Sequence, residues 1–372
     1  MPAGLYIHVP FCLSKCPYCD FYSIERDDSL IDEFAEALLL EINLLARTKW
    51  KDRVYNTIFF GGGTPPLLGD SYIAEILQTL RRTFNISPRA EISLEANPES
   101  LSLELLQAFK SSGINRISIG AQSFDDSLLQ TLGRIHTAET ALKSIDMAGE
   151  AGFENISIDL IFGIAGQTVD TWRESLKQAA AKSPAHISAY GLTIEKGTPY
   201  DKMLQKGELN LPADDIQAEM YQVLNEMLAG EGYRRYEVSN FARPGSECQH
   251  NYKYWRDDKY IGLGPSAHSY DGDSRTANYK NLDKYLTSIK KGKLPVNFKE
   301  KLTDKQRAEE RLLLGLRIAE GIDLNLIKDV LNDQALTDFQ EQGYIEKKLN
   351  NIMLTDKGFL VADEIIVKLL RN

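Results

Sequence analysis

An alternation constrains this chain more than any other feature. Short apolar runs that read as strands, at 5–9, 54–60, 90–95, 116–120, 155–162 and 186–192, are each followed by a breaker. Helical spacing fills the intervals, at 30–47, 72–84, 103–110, 126–132, 138–151 and 169–181, the first opening on Ser29 and Asp32 in a capping-box-like arrangement. Strands joined through helices pair in parallel, so the pattern predicts an α/β fold, either a partial barrel or an open doubly wound sheet. The unusual residues add a direction. The first loop with its cysteines, the glycine triplet 61–63, Glu95, Gln122 and Asp159 all fall at or just beyond the C-terminal ends of predicted strands. In parallel barrels the reactive groups gather at that edge.

Three of the four cysteines, Cys12, Cys16 and Cys19, lie in the first of these loops with C-x3-C-x2-C spacing. Four thiolates would close a zinc or iron-sulfur site, whereas three on a cubane cluster leave one iron open to a substrate or cofactor. Zinc is the alternative, but it asks for a fourth Cys or His at short spacing, and His8 precedes the cluster on a strand. Only Cys248 stands apart, so there is no disulfide framework, and an oxygen-sensitive cluster belongs in a reducing compartment. No apolar run approaches the roughly 20 residues of a membrane span, and the N-terminus lacks a signal core, so a cytoplasmic location is expected. The net charge of −10 and the lack of a basic block argue against nucleic acid as a partner.

After Pro199 the alternation ends. A helix over 214–229 leads to a predicted strand at 236–240 and then to a segment dense in glycine, aromatics and histidine as far as Asp273. From 302 the order is helical, ending in a helix at 335–343 and strands near 344–347 and 353–355, which resembles a winged helix; without an excess of Lys and Arg it reads as a packing or docking module. The expected domains are 1–205, 206–300 and 301–372.

The cysteine spacing with an aromatic, Tyr18, before the last cysteine resembles the radical S-adenosylmethionine superfamily. Taken with the downstream motifs, nearly the whole chain resembles one branch, which holds oxygen-independent coproporphyrinogen III oxidase and the heme chaperone HemW. That resemblance implies a partial (β/α)6 barrel with a C-terminal α+β extension, and a [4Fe-4S] cluster on Cys12, Cys16 and Cys19. It also implies S-adenosyl-L-methionine at Tyr6, Gly62 and Glu95, with Tyr18, Gly63, Thr64, Gln122, Arg134 and Asp159 matching residues around a second such molecule in the oxidase. Asp159 in an apolar strand needs a partner, and Arg134 or a ligand is the expected one.

Two departures from the oxidase point toward the chaperone: Phe21 stands where the oxidase has a fourth cysteine, and Tyr6 lies close to the start of the chain. The segment His250-Asn251-Tyr252-Lys253-Tyr254-Trp255 matches the H-N-x-x-Y-W signature linked there to heme binding, with His250 the implied axial ligand. His268 is a second choice and Cys248 a third. The expected function is therefore heme delivery to acceptor proteins, including those of the respiratory chain, with a homodimer and peripheral contact with membrane proteins as further expectations. Radical decarboxylation of coproporphyrinogen III propionates is the alternative, and a zinc or nucleic-acid-binding module a third.

Overall fold

The computed structural model describes residues 1–371. Six strands, β1 (Ala3–Val9), β4 (Val54–Gly62), β5 (Asn85–Ala96), β6 (Arg116–Gln122), β7 (Asn155–Phe162) and β8 (His186–Gly191), pair in parallel in chain order. A short parallel pair, β2 (Phe11–Cys12) and β3 (Ile24–Glu25), ties the two ends of the cysteine loop together. The helices between strands are α1 (Asp28–Leu45), α2 (Gly69–Thr83), α3 (Leu103–Ser112), α4 (Asp126–Thr131), α5 (Ala138–Glu150) and α6 (Val169–Ala181). Asp27, not Ser29, caps α1: its carboxylate accepts from the Ser29 N–H at 3.0 Å, a stronger arrangement than a serine hydroxyl at a helix start.

One face of the sheet is apolar. Leu5, Ile7, Ile58, Phe60, Ile92, Leu94, Ile117, Ile119, Ile158 and Leu160 bury themselves in one core with Phe34, Leu38, Ile76 and Leu80 of the helices. The other face alternates with it at period two and is polar, carrying Tyr6, His8, Thr57, Ser93, Glu95, Arg116, Ser118, Ser157, Asp159, His186 and Ser188. Parallel strands covered on both faces normally read as near-continuous apolar runs, so a polar inner face marks an interior built for something other than packing.

The chain after β8 extends this sheet at both edges. Past α7 (Pro199–Gln205) and α8 (Asp214–Gly230), β9 (Arg234–Arg235) and β10 (Asn240–Ala242) add antiparallel beside β8. The predicted strand at 236–240 is thus broken: residues 236–239 form a kink, with only a bridge from Glu237 to Ile318, and pairing resumes at Asn240. Helix α9 (Gln249–Trp255) then crosses the inner face, and β11 (Tyr260–Leu263) joins β1 in parallel at the far edge. β12 (His268–Tyr270), β13 (Ser274–Asn278) and β14 (Val296–Lys301) continue antiparallel beyond it, giving a 12-stranded sheet in the order β14-β13-β12-β11-β1-β4-β5-β6-β7-β8-β10-β9. Helix α10 (Leu282–Lys290) packs on α1.

From Leu302 the chain leaves the sheet. Helix α11 (Asp304–Gly315), β15 (Ile322–Asp323), α12 (Asp333–Glu341), β16 (Ile345–Lys348), β17 (Asn351–Leu354), α13 (Asp356–Phe359) and α14 (Ala362–Leu369) form a helical unit with a three-stranded antiparallel sheet, the element order of a winged helix. Among the described residues no helix is long and apolar enough to cross a membrane.

Candidate functional site

The cysteine loop is held at the C-terminal edge of β1 by backbone bonds. Ile24 N–H donates to Pro10 O at 2.7 Å and Arg26 N–H to Cys12 O at 2.8 Å, so the loop between them projects over the inner face. Cys12, Cys16 and Cys19 are half-buried free thiols on this loop, and burial pushes the Cys12 and Cys19 thiols up. A bracket of side chains joins two of them. Thr64 Oγ1 donates to Cys12 Sγ at 3.8 Å and Arg134 Nη1 to Cys16 Sγ at 3.5 Å. Asn97 links the two donors, giving its Nδ2–H to Thr64 Oγ1 at 2.9 Å and accepting from Arg134 Nη2 at 2.6 Å.

Such donors stabilise thiolate charge and fix sulfur positions, as an iron-sulfur cluster requires. Among the described residues no three His, Cys, Asp or Glu side chains are grouped to hold one metal ion. Thiolates that each bind a different iron of a cubane need no such convergence. The donor chemistry thus fits a cluster with three protein thiolates.

Beside the loop, the glycine triplet is required by close approach. A Cβ on Gly63 would lie 2.5 Å from Phe11 O, one on Gly61 would lie 2.7 Å from Glu95 Oε2, and Gly62 holds φ +109°. Glu95 Oε2 accepts from the Gly62 N–H at 3.3 Å, and burial, reinforced by Asp159, pushes this carboxyl up to about 7. His8 Nε2 donates to Tyr22 O at 2.8 Å, so its Nδ1 accepts from the Tyr6 hydroxyl at 3.1 Å; burial lowers this imidazole to about 4 and keeps it neutral. Gln122 takes a left-handed φ of +65° where β6 ends, and Tyr18 packs near Tyr200 with its hydroxyl pushed up by burial and by Cys16. The sequence-predicted residues Tyr6, Gly62, Gly63, Thr64, Glu95, Gln122 and Arg134 therefore gather at one edge around the cysteine loop.

Asp159 differs from expectation. Its partners are hydroxyls, Ser118 Oγ at 3.0 Å and Ser157 Oγ at 3.1 Å, with the Arg116 charge lowering it against the upward effect of burial. Arg134 is committed to Cys16, Asn97 and the Gly120 carbonyl and does not reach it. Arg116 is the buried cation of the inner face, and sequence reasoning missed it along with Asn97, Ser118, Ser157 and His186. The signal was present as strict polar alternation in Arg116-Ile-Ser-Ile and Ser157-Ile-Asp-Leu, which marks an inward row on adjacent strands.

His250 sits elsewhere, deep under the inner face. It is fully buried, its Nδ1 is 2.8 Å from Thr57 Oγ1 and its Nε2 2.9 Å from the Tyr254 hydroxyl, and its ring stacks on Phe59 at 5.1 Å. Burial, aided by Lys253 and Arg116, lowers it to about 3. Both nitrogens are thus engaged, and in this arrangement the ring presents neither to an iron. Cys248 is also fully buried, with its Sγ 3.6 Å from Glu91, and Tyr252 packs on Tyr236 rather than on an open face. Of the five histidines, His268 alone is exposed. Around the loop, Phe11 turns into the core against Phe34, while Phe21 is 68% exposed, so neither shields the thiols.

Comparison with known proteins identifies the family. The Radical SAM superfamily model matches residues 6–179, and the HemN C-terminal domain model matches 302–361. The chain is 37% identical to the heme chaperone HemW of Bacillus subtilis, covering 97% of both chains. It is 36% identical to heme chaperone HemW of Mycobacterium tuberculosis, over 99% of this chain and 95% of that one. Among solved structures, coproporphyrinogen III oxidase (HemN) from Escherichia coli, a radical SAM enzyme, superposes with a TM-score of 0.85 at 26% identity, over 98% of this chain and 89% of that one. At this identity over nearly the full length, the chain belongs to the HemW family of the radical S-adenosylmethionine superfamily.

Proposed function

We propose that this protein is a heme chaperone that binds heme and passes it to heme-requiring acceptor proteins in the cytoplasm. The observation that carries the reading is near-full-length identity of 36–37% to proteins named heme chaperone, in a chain with Phe21 at the oxidase's fourth cysteine position. Cys12, Cys16 and Cys19 would hold the [4Fe-4S] cluster, with Thr64 and Arg134 donating to two of the thiolates. Tyr6, Gly62 and Glu95 would receive S-adenosylmethionine at the open iron, the Gly62–Glu95 contact offering carbonyl and carboxylate oxygens for its amine. When bound, the pair supplies one-electron chemistry. Gly63, Thr64, Gln122, Arg134, Asp159 and Tyr18 would surround a second such molecule, as the resemblance implies, although Arg134 is already engaged by Cys16. His250, enclosed by Thr57 and Tyr254, would meet heme iron only after its ring is released, which leaves His268 as the imidazole in reach.

The oxidase reading has one observation in its favour, the superposition on HemN. A single anaerobic sample separates the two: the cluster is reconstituted, heme is titrated by visible absorption, and coproporphyrinogen decarboxylation is assayed with reductant and S-adenosylmethionine. Saturable heme binding with no decarboxylation is expected. Turnover of the porphyrinogen would overturn the chaperone reading.

A further inference from the structure

Three antiparallel strands continue the inner face beyond β11, and their register places a specific set of side chains side by side. His268 of β12 pairs with Ala277 of β13, which pairs with Phe298 of β14. One row on, Tyr270 pairs with Arg275 and Arg275 with Glu300. Residues directly opposite in an antiparallel ladder share a face, so both rows point the same way. That way is inward: Tyr270 lies opposite Tyr260, whose ring meets Tyr254 of the crossing helix at 4.8 Å. Here the inner face is open. His268 is exposed, Phe298 is 48% and Val296 40% exposed, and Ala277 between them is too small to interrupt a flat floor.

We propose that this strip seats the heme, with His268 as an axial ligand, Ala277 and Phe298 beneath the porphyrin and Arg275 toward its propionates; the inference rests on the chaperone reading above. The occupant follows from the chemistry of the strip. An imidazole is a natural axial ligand, and it stands two strand spacings, roughly 9–10 Å, from an exposed phenyl ring. The guanidinium of Arg275 donates from Nη2 to Glu310 at 2.8 Å, yet the side chain stays 37% exposed, so a carboxylate can approach it from solvent.

The strip is also rigid for a surface feature. Glu41, 1% exposed, accepts from the Gly264 N–H and from Asn278 Nδ2, each at 2.8 Å. Asn278 Nδ2 also donates to Gly264 O at 2.9 Å, and its own N–H donates to Ala267 O at 2.9 Å. The turn that delivers His268 and the end of β13 are therefore pinned to α1, and a site pre-shaped in this way spends less binding energy on ordering.

The test uses the full chain and hemin, titrated by visible absorption into wild type, His268→Ala, Phe298→Asp and Arg275→Gln. His268→Ala should lose the imidazole-ligated spectrum and weaken binding by about tenfold or more, with added imidazole restoring the spectrum. Phe298→Asp should weaken binding, and Arg275→Gln should weaken it several-fold while leaving the spectrum unchanged. If wild type binds hemin and His268→Ala matches it in spectrum and affinity, the strip is not the heme site and the chaperone reading stands. If wild type binds no hemin, both fall. If Phe298→Asp changes sedimentation of the protein but not its hemin titration, the strip is a protein contact and the inference fails.

Discussion

The two levels of the inner face are built on the same strands and solve opposite problems. At the C-terminal edge, Cys12, Cys16 and Glu95 sit half-covered, with hydrogen-bond donors arranged around charges that would be costly without a ligand. Deeper in, beneath α9, the polar groups His250, Thr57 and Tyr254 satisfy one another and water is excluded. Residues in β1 and β4 serve both, since Tyr6 bonds His8 at the edge and lies 6.4 Å from the His250 ring below. A polar residue on this sheet is therefore no indicator of ligand binding by itself. Whether its hydrogen bonds are already closed by the protein decides which level it belongs to.

Breaking the open edge should have the largest effect. Cys16→Ala removes one of three thiolates and the Arg134 acceptor, so reconstituted protein should lack a normal four-iron complement; iron and sulfide analysis with unaltered content would contradict the assignment. Breaking the closed level should cost stability instead. His250→Ala opens a cavity and strips partners from Thr57 and Tyr254, so a loss of about 4 kcal/mol is expected by denaturant unfolding, with iron content retained in the folded fraction. The same ring gives a pH signature. Its folded-state value lies below its unfolded one, so its contribution is present above pH 6.5 and is lost as pH falls toward about 3.

Glu41 sharpens the comparison from the other direction. Burial raises it from 4.5 to about 7, so the folded state keeps a proton that the unfolded state releases. Stability should fall as pH rises from about 4.5 to about 7, by about 3 kcal/mol at 1.36 kcal/mol per unit, and Glu41→Gln should flatten that slope in unfolding curves. The smallest effect is expected at Arg134. Arg134→Gln should keep the iron content but shift the cluster midpoint to more negative potential, because the cation no longer stabilises added electron density at Cys16. An unchanged midpoint in a redox titration followed by electron paramagnetic resonance would remove Arg134 from the cluster's surroundings.

Much of the architecture was legible in the sequence because strand–helix alternation has few solutions. The strand at 155–162 was read to its observed bounds, and 54–60 and 116–120 to within two residues. The break at 236–239 was not legible, because its apolar and polar residues mimic a strand while Glu237 turns to bridge Ile318. At the site, short-range motifs located the thiols, the glycines and Glu95. The sequence misled where meaning depends on distant contacts: Arg134 looked like a partner for Asp159 and instead serves Cys16. His250 carried a motif that implied ligation, yet Thr57, far away in the chain, occupies its Nδ1. Glu41 and Asn97 carried no local signal, yet they hold the β11–β12 turn and the bracket around Cys12 and Cys16.

The most direct test of the contrast between an open and a closed level is amide hydrogen exchange on the full chain with and without hemin. Bound hemin should slow exchange in 266–277 and 296–301, while α9, already closed by its own side-chain bonds, should exchange slowly and equally in both states. A change in protection confined to α9, with 266–277 unaffected, would contradict the account and return the heme to His250.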